Sequence, residues 1–125
     1  MCYAGFHKPR RGRPFFEALE QRRFTAITSI VTIGEVLVHH LRFKRTKLVE
    51  AYYELFKTYL HVTALSCAIA EKAASLGARA AHNFKTPDAI LIATALDQKA
   101  NFFLTNDAKL SRLSQPQVLV LADLA

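Results

Sequence analysis

Apolar positions recur along this chain at two different periods, and the alternation between them lays out its elements. TKLVEAYYELFKTYL (46–60) carries Leu48, Tyr52, Leu55, Phe56 and Tyr59 as one stripe at helical spacing, with Glu50, Glu54 and Lys57 off it. That pattern predicts an amphipathic helix whose stripe packs inward. FTAITS (24–29), HVTAL (61–65), NFFLT (101–105) and QVLVLADL (117–124) are short apolar runs rich in β-branched and aromatic residues, and each predicts a strand. Between them FFEALEQRR (15–23), the segment 67–81 and TPDAILIATALDQ (86–98) predict helices, and AKLSRL (108–113) a helical turn. IVTIGEVLVHHL (30–41) is apolar nearly all round, which predicts a helix enclosed by other elements, with strand as the rival because of its β-branching.

Local chemistry punctuates the pattern. Ser66 can cap the helix over 67–81, whose Ile69, Ala73, Leu76 and Ala80 share one side. Cys67, in the same apolar pattern, is expected as a small core residue. Thr86, Pro87 and Asp88 read as N-cap, N1 and first-turn acid. Residues 1–14 hold Gly5, Pro9, Gly12 and Pro14 among basic residues, so an irregular basic arm is expected there and a single domain over 15–125. Strands alternating with helices predict an α/β domain with a parallel sheet covered on both faces.

Composition narrows the class. Half of the 125 residues are hydrophobic, enough for a real core, and 17 Lys and Arg against 10 Asp and Glu give a net charge of +7 and a pI near 9.7. That balance suits an anionic partner, most simply nucleic acid, or a soluble domain that is merely basic. Two cysteines make no disulfide framework and no Cys/His spacing fits zinc, so a reducing, cytoplasmic setting is expected. The N-terminus lacks an apolar signal core and no run is long enough to span a bilayer, so no membrane association is expected.

Three acids then ask for an explanation. Asp88 opens a helix, and Asp107, between NFFLT and AKLSRL, can cap a short one; both are accounted for by capping alone. Asp107 also follows a strand, and ligands gather at the carboxyl edge of parallel sheets. Glu35 lies among Ile33, Val36, Leu37 and Val38, where a lone buried carboxylate needs an Arg or Lys partner, a proton or a metal ion. Were the three to converge, a cation between them would relieve their repulsion. Oxygen-only ligands select Mg²⁺ or Mn²⁺, suited to hydrolysing a phosphodiester.

FTAITSIVTIGEVL, TPDAILIATAL and FFLTND, in that order, resemble the PIN domain, in particular the VapC-like ribonuclease toxins of bacterial toxin–antitoxin pairs. The resemblance runs from about Phe15 to Leu124. It implies a three-layer α/β/α domain, and a metal-dependent endoribonuclease in which Glu35, Asp88 and Asp107 hold Mg²⁺ or Mn²⁺ and Asn106 assists. It also implies a cognate antitoxin packed against a clip that includes helix 46–60, and a homodimer. One departure follows from the same comparison. The family opens with an apolar strand ending in a metal-binding Asp, whereas here no acid precedes Glu17. The first strand is therefore expected to be absent, as in a truncated or misannotated product. The alternative function is a non-catalytic remnant that binds antitoxin or RNA. Arg42, Lys44 and Arg45, at the end of the Glu35 helix, could hold RNA phosphates at the mouth of the acid site, or be solvated charge at a helix C-terminus.

Overall fold

The computed structural model describes residues 2–4, 13–79, 84–105, 107–113 and 115–120, with the backbone alone for 2–4 and 13–16. Five parallel strands form one sheet in the order β3-β2-β1-β4-β5, where β1 is Cys2–Ala4, β2 Ala26–Ser29, β3 Leu60–Thr63, β4 Phe102–Thr105 and β5 Gln117–Val120. The helices are α1 (Arg13–Glu20), α2 (Ile30–Arg42), α3 (Thr46–Thr58), α4 (Cys67–Ala78) and α5 (Thr86–Asp97), and a 3₁₀ turn covers Ala108–Arg112. This is the α/β architecture that the alternation of periods predicts. The expected ends of the last strand (121–124) and of the helix over 67–81 (80–81) lie outside the described residues.

The first strand corrects the expectation drawn from the sequence. It is present, it lies in the middle of the sheet, and it replaces part of the irregular arm expected over 1–14. Cys2, Tyr3 and Ala4 pair with Phe103, Leu104 and Thr105 on one side, and Cys2 with Ile27 on the other. Three residues carry no periodicity to read. What holds them in line is the neighbouring strands, whose buried backbone groups need partners.

Successive residues of β4 show the two cores. Phe103 and Leu104 are both fully buried and, as strand neighbours, face opposite sides. Phe103 belongs to the core that includes Ile69, Ala73 and Leu76 of α4 and Leu91 and Ile92 of α5. Leu104 belongs to the core that includes Leu37 of α2, Val49, Tyr52 and Phe56 of α3, and Leu19 of α1. The stripe of α3 is thus packing, as its spacing predicts. Ser66 caps α4, its hydroxyl accepting from the Ile69 N–H at 3.1 Å. Ile92 is wholly buried, so Ile92→Val should lower the urea midpoint by the equivalent of about 0.5–1.5 kcal/mol with the slope unchanged.

Three local expectations change. Cys67 is exposed, because as the first residue of α4 it points away from Ile69, Ala73 and Leu76. Lys85, not Thr86, is the N-cap of α5, so the helix begins one residue early and Asp88 stands third in its first turn. The α2 segment is a helix, but it is not enclosed. Thr32, Leu37 and His40 are buried, while Ile30, Val38 and Leu41 are about half exposed or more. No helix among the described residues is long and apolar enough to cross a membrane.

Candidate functional site

The order of strands fixes where a site can form. From β1 the chain moves to β2 and β3 on one side, and it returns on the other side as β4 and β5. The carboxyl edge at such a reversal is an open crevice between diverging connections. Three elements start there. Ser29, the last residue of β2, caps α2, its hydroxyl accepting from the Val31 N–H at 3.2 Å. Thr105 ends β4, and its hydroxyl accepts from the Asp107 N–H at 3.1 Å. Asp107 then caps the 3₁₀ turn, a carboxylate oxygen accepting from the Lys109 N–H at 2.9 Å. The turn chemistry read from the sequence is therefore real, and it also aims Asp107 at the crevice side of β4.

The three acids interact as a row. The carboxyl of Glu35 is pushed above its ordinary range by partial burial and by the charge of Asp88. That of Asp88 is also pushed up, by partial burial first and by the charge of Asp107 second, while Lys85 pulls it down. A first-turn position should favour an anion through the helix dipole. At Asp88 desolvation and the neighbouring acid outweigh both that dipole and Lys85. Among the described residues neither carboxylate receives a hydrogen bond. Glu35, expected inside an enclosed helix, lies instead on the outer side of α2, exposed as a whole residue. It is one turn from the N-terminus, where Asp88 reaches it.

Asp88 thus links two pairs, Glu35 with Asp88 and Asp88 with Asp107. Among the described residues no three His, Cys, Asp or Glu side chains come together closely enough to hold one ion jointly. The donor chemistry nonetheless fits a hard divalent cation: the groups are all carboxylates, and Glu35 with Asp88 and Asp88 with Asp107 bring like charges near each other. Asn106 lies outside the described residues. β1 ends in Ala4, beside Thr105, so the strand that should present a first acid to this crevice presents none.

The basic residues sit elsewhere. Arg42 is seven residues beyond Glu35, or about 10 Å along the helix axis, and Lys44 and Arg45 follow it. His40 is buried and stacked on Tyr52 with ring centroids 5.3 Å apart, while His39 is exposed beside Phe43. Two residues of the crevice were not singled out from the sequence. Thr105 holds the Asp107 backbone, and Lys85 is the cation acting on Asp88. The signal for Thr105 was a hydroxyl closing an otherwise apolar strand. For Lys85 it was a cation three residues before the acid.

The raised carboxyls set a pH dependence. For both Glu35 and Asp88 the folded pKa exceeds the unfolded one, whose ordinary values are 4.5 and 3.8. The folded chain holds protons that the unfolded chain has released, so stability falls as pH rises from those values through the raised ones. Glu35→Gln should match the parent near pH 4 and melt above it by a growing margin toward pH 7, as read by calorimetry without added metal. A margin independent of pH would refute this coupling.

Comparison with known proteins follows this geometry. A family profile described as the PIN domain matches residues 3–116. Among solved structures, a chain of a toxin–antitoxin complex from Klebsiella pneumoniae is similar, with a TM-score of 0.67 and 22% sequence identity over 96% of this chain and 96% of that one. At that identity the likeness speaks to the fold. No curated protein matches the sequence.

Proposed function

This chain belongs to the PIN domain family, and on that premise we propose that it is a toxin-type PIN protein whose acidic edge binds Mg²⁺ or Mn²⁺ and cleaves RNA. The observation that carries the reading is the row Glu35–Asp88–Asp107 at the carboxyl edge, coupled pair by pair, with the Glu35 and Asp88 carboxyls pushed up by partial burial and by the neighbouring acid. One of the two pairs, Glu35 with Asp88 or Asp88 with Asp107, would hold the ion. When bound, it would lower the pKa of water and offset charge on the phosphodiester. The chain's own contribution is placement: the Ser29 cap starts α2 at the edge, Thr105 fixes the Asp107 loop, and Lys85 sets a cation beside Asp88.

A protein partner of the antitoxin kind belongs to the same reading. It is supported by the likeness to a toxin–antitoxin complex and by the apolar surface that α2 leaves uncovered. A second reading, a non-catalytic chain that keeps its partner, is favoured by one fact: no acid precedes Glu17, so β1 ends without a carboxylate. Manganese titration by calorimetry together with RNA cleavage, on the parent and on Asp88→Asn and Asp107→Asn, separates the two. Metal binding and cleavage that both vanish in the variants support the nuclease. Metal binding without cleavage supports the second reading, and metal binding unchanged in both variants refutes the site.

A further inference from the structure

A cavity of about 350 Å³ opens beside the Phe103 core and shares no residue with the acidic edge. That is the small end of the range for ligand sites. One wall is α4 and its C-cap, through Lys72, Ser75, Leu76 and Arg79. These positions recur every three or four residues, so they stand on one face of the helix. The rest of the lining is Leu96 of α5, with Leu113 and Gln115 beyond the 3₁₀ turn. Leu96 lies eight residues from Asp88, or about 12 Å along α5.

The lining divides by chemistry. Leu76 is buried, and Leu96 and Leu113 are partly buried against the same core, so packing holds them as a fixed apolar floor. Lys72, Ser75, Arg79 and Gln115 are exposed and form the rim. The charge is one-sided: Glu71 and Asp97, next in sequence to Lys72 and Leu96, are not part of the lining. Lys109 and Arg112, exposed on the 3₁₀ turn just before Leu113, add to the positive field. A cation at a helix C-terminus is ordinary, and that accounts for Arg79 alone. It does not account for a second cation two turns away along the same face, nor for the leucine floor between them.

We propose that this cavity binds a free nucleoside monophosphate, as a site separate from the acidic edge. An inorganic anion would satisfy Lys72 and Arg79 and leave the leucines wet. A plain apolar ligand would cover the leucines and leave the cations unanswered. A mononucleotide answers both, and its size suits so small a cavity. Its phosphate lies on the Arg79 fork and the Lys72 ammonium. Its base lies flat on Leu76, Leu96 and Leu113. The Gln115 amide can both donate to and accept from the hydrogen-bonding edge of the base, as amides do with adenine, and the Ser75 hydroxyl faces the sugar. Binding there needs no metal, because the cations are the chain's own. The proposal therefore stands or falls apart from the nuclease reading.

The test is calorimetric titration of the full chain with adenosine monophosphate, adenosine and inorganic phosphate, in EDTA so that no metal carries phosphate to the acidic edge. The monophosphate should bind with a Kd of about 1 mM or tighter, and adenosine and phosphate each at least about tenfold more weakly. Arg79→Glu should weaken the monophosphate by about tenfold or more and adenosine much less. Ser75→Trp fills the cavity without touching its charge and should abolish both. Both positions are exposed, so the circular dichroism spectrum should not change, and manganese titration should not change either. Monophosphate binding that survives Ser75→Trp would overturn the inference, as would phosphate binding as tightly as the monophosphate. An RNA oligonucleotide that binds more tightly than the monophosphate and is lost in Ser75→Trp would assign the cavity to a strand and overturn the free nucleotide. A concentration-dependent dimer in sedimentation that Ser75→Trp abolishes would assign it to a second copy. Loss of manganese binding in Asp107→Asn with monophosphate binding kept is the expected separation of the two sites.

Discussion

Asp88→Asn should remove the manganese response and at the same time stabilise the metal-free chain. Asp88 is the centre of the row, facing Glu35 on one side and Asp107 on the other, and it is partly desolvated. Asparagine keeps the size and drops the charge, so both repulsions disappear together. The side chain is only partly buried, so solvent screens the gain, and the metal-free melting temperature should rise by only about 1–2 °C. Manganese affinity should fall by at least about 100-fold, since the group shared by both pairs is lost, and RNA cleavage should fall to background. Asp107→Asn is the informative companion. Asn caps a helix turn as well as Asp does, so the bond from Lys109 N–H survives and the fold is undisturbed while the charge is lost. Loss of metal binding in Asp107→Asn at an unchanged melting temperature would assign the effect to the ligand. Metal-induced stabilisation that survives Asp88→Asn, read by differential scanning fluorimetry, would sink the acidic edge.

The two charges that this prediction uses were visible in the sequence both through the family resemblance and through local capping. Asp107 was legible as a cap and Asp88 as a first-turn acid, because capping is local and depends on residues within one turn. Their coupling was not legible, because it depends on β4 and the start of α5 sharing a sheet edge, which no window of sequence contains. Glu35 shows the opposite case. Its apolar neighbours suggested enclosure, yet α2 spends only one side on the core through Thr32, Leu37 and His40. Periodicity reports a stripe only where the other side is polar. Where the other side is also apolar, as with Ile30, Val38 and Leu41, the sequence cannot distinguish a buried helix from one kept open for a partner. The first strand was illegible for a third reason. CYA is too short to carry a pattern and stands among glycines, prolines and basic residues, so its place is fixed by β2 and β4 alone.

That strand makes the second large effect accessible. Ala4 is the last residue of β1 and pairs with Thr105, whose hydroxyl holds the Asp107 backbone. An acid introduced there stands at the end of the central strand, at the same crevice as the row. Ala4→Asp should therefore have two opposite consequences. Without metal it adds a fourth negative charge to groups that already repel, and the chain should lose about 1 kcal/mol or more of stability at neutral pH, less in acid. With manganese the same charge becomes a ligand, and affinity should rise by about tenfold or more, with RNA cleavage rising alongside it. The sign reversal between the metal-free and metal-bound chain is what a merely structural lesion cannot produce, because strain at β1 would lower both. The measurement is a pair of urea titrations, with and without saturating manganese, on parent and variant. A variant that remains folded by circular dichroism, yet binds manganese no better than the parent, would show that the end of β1 does not share a cation with Asp88 and Asp107. The absence of an acid before Glu17 would then have no bearing on how well this chain binds metal.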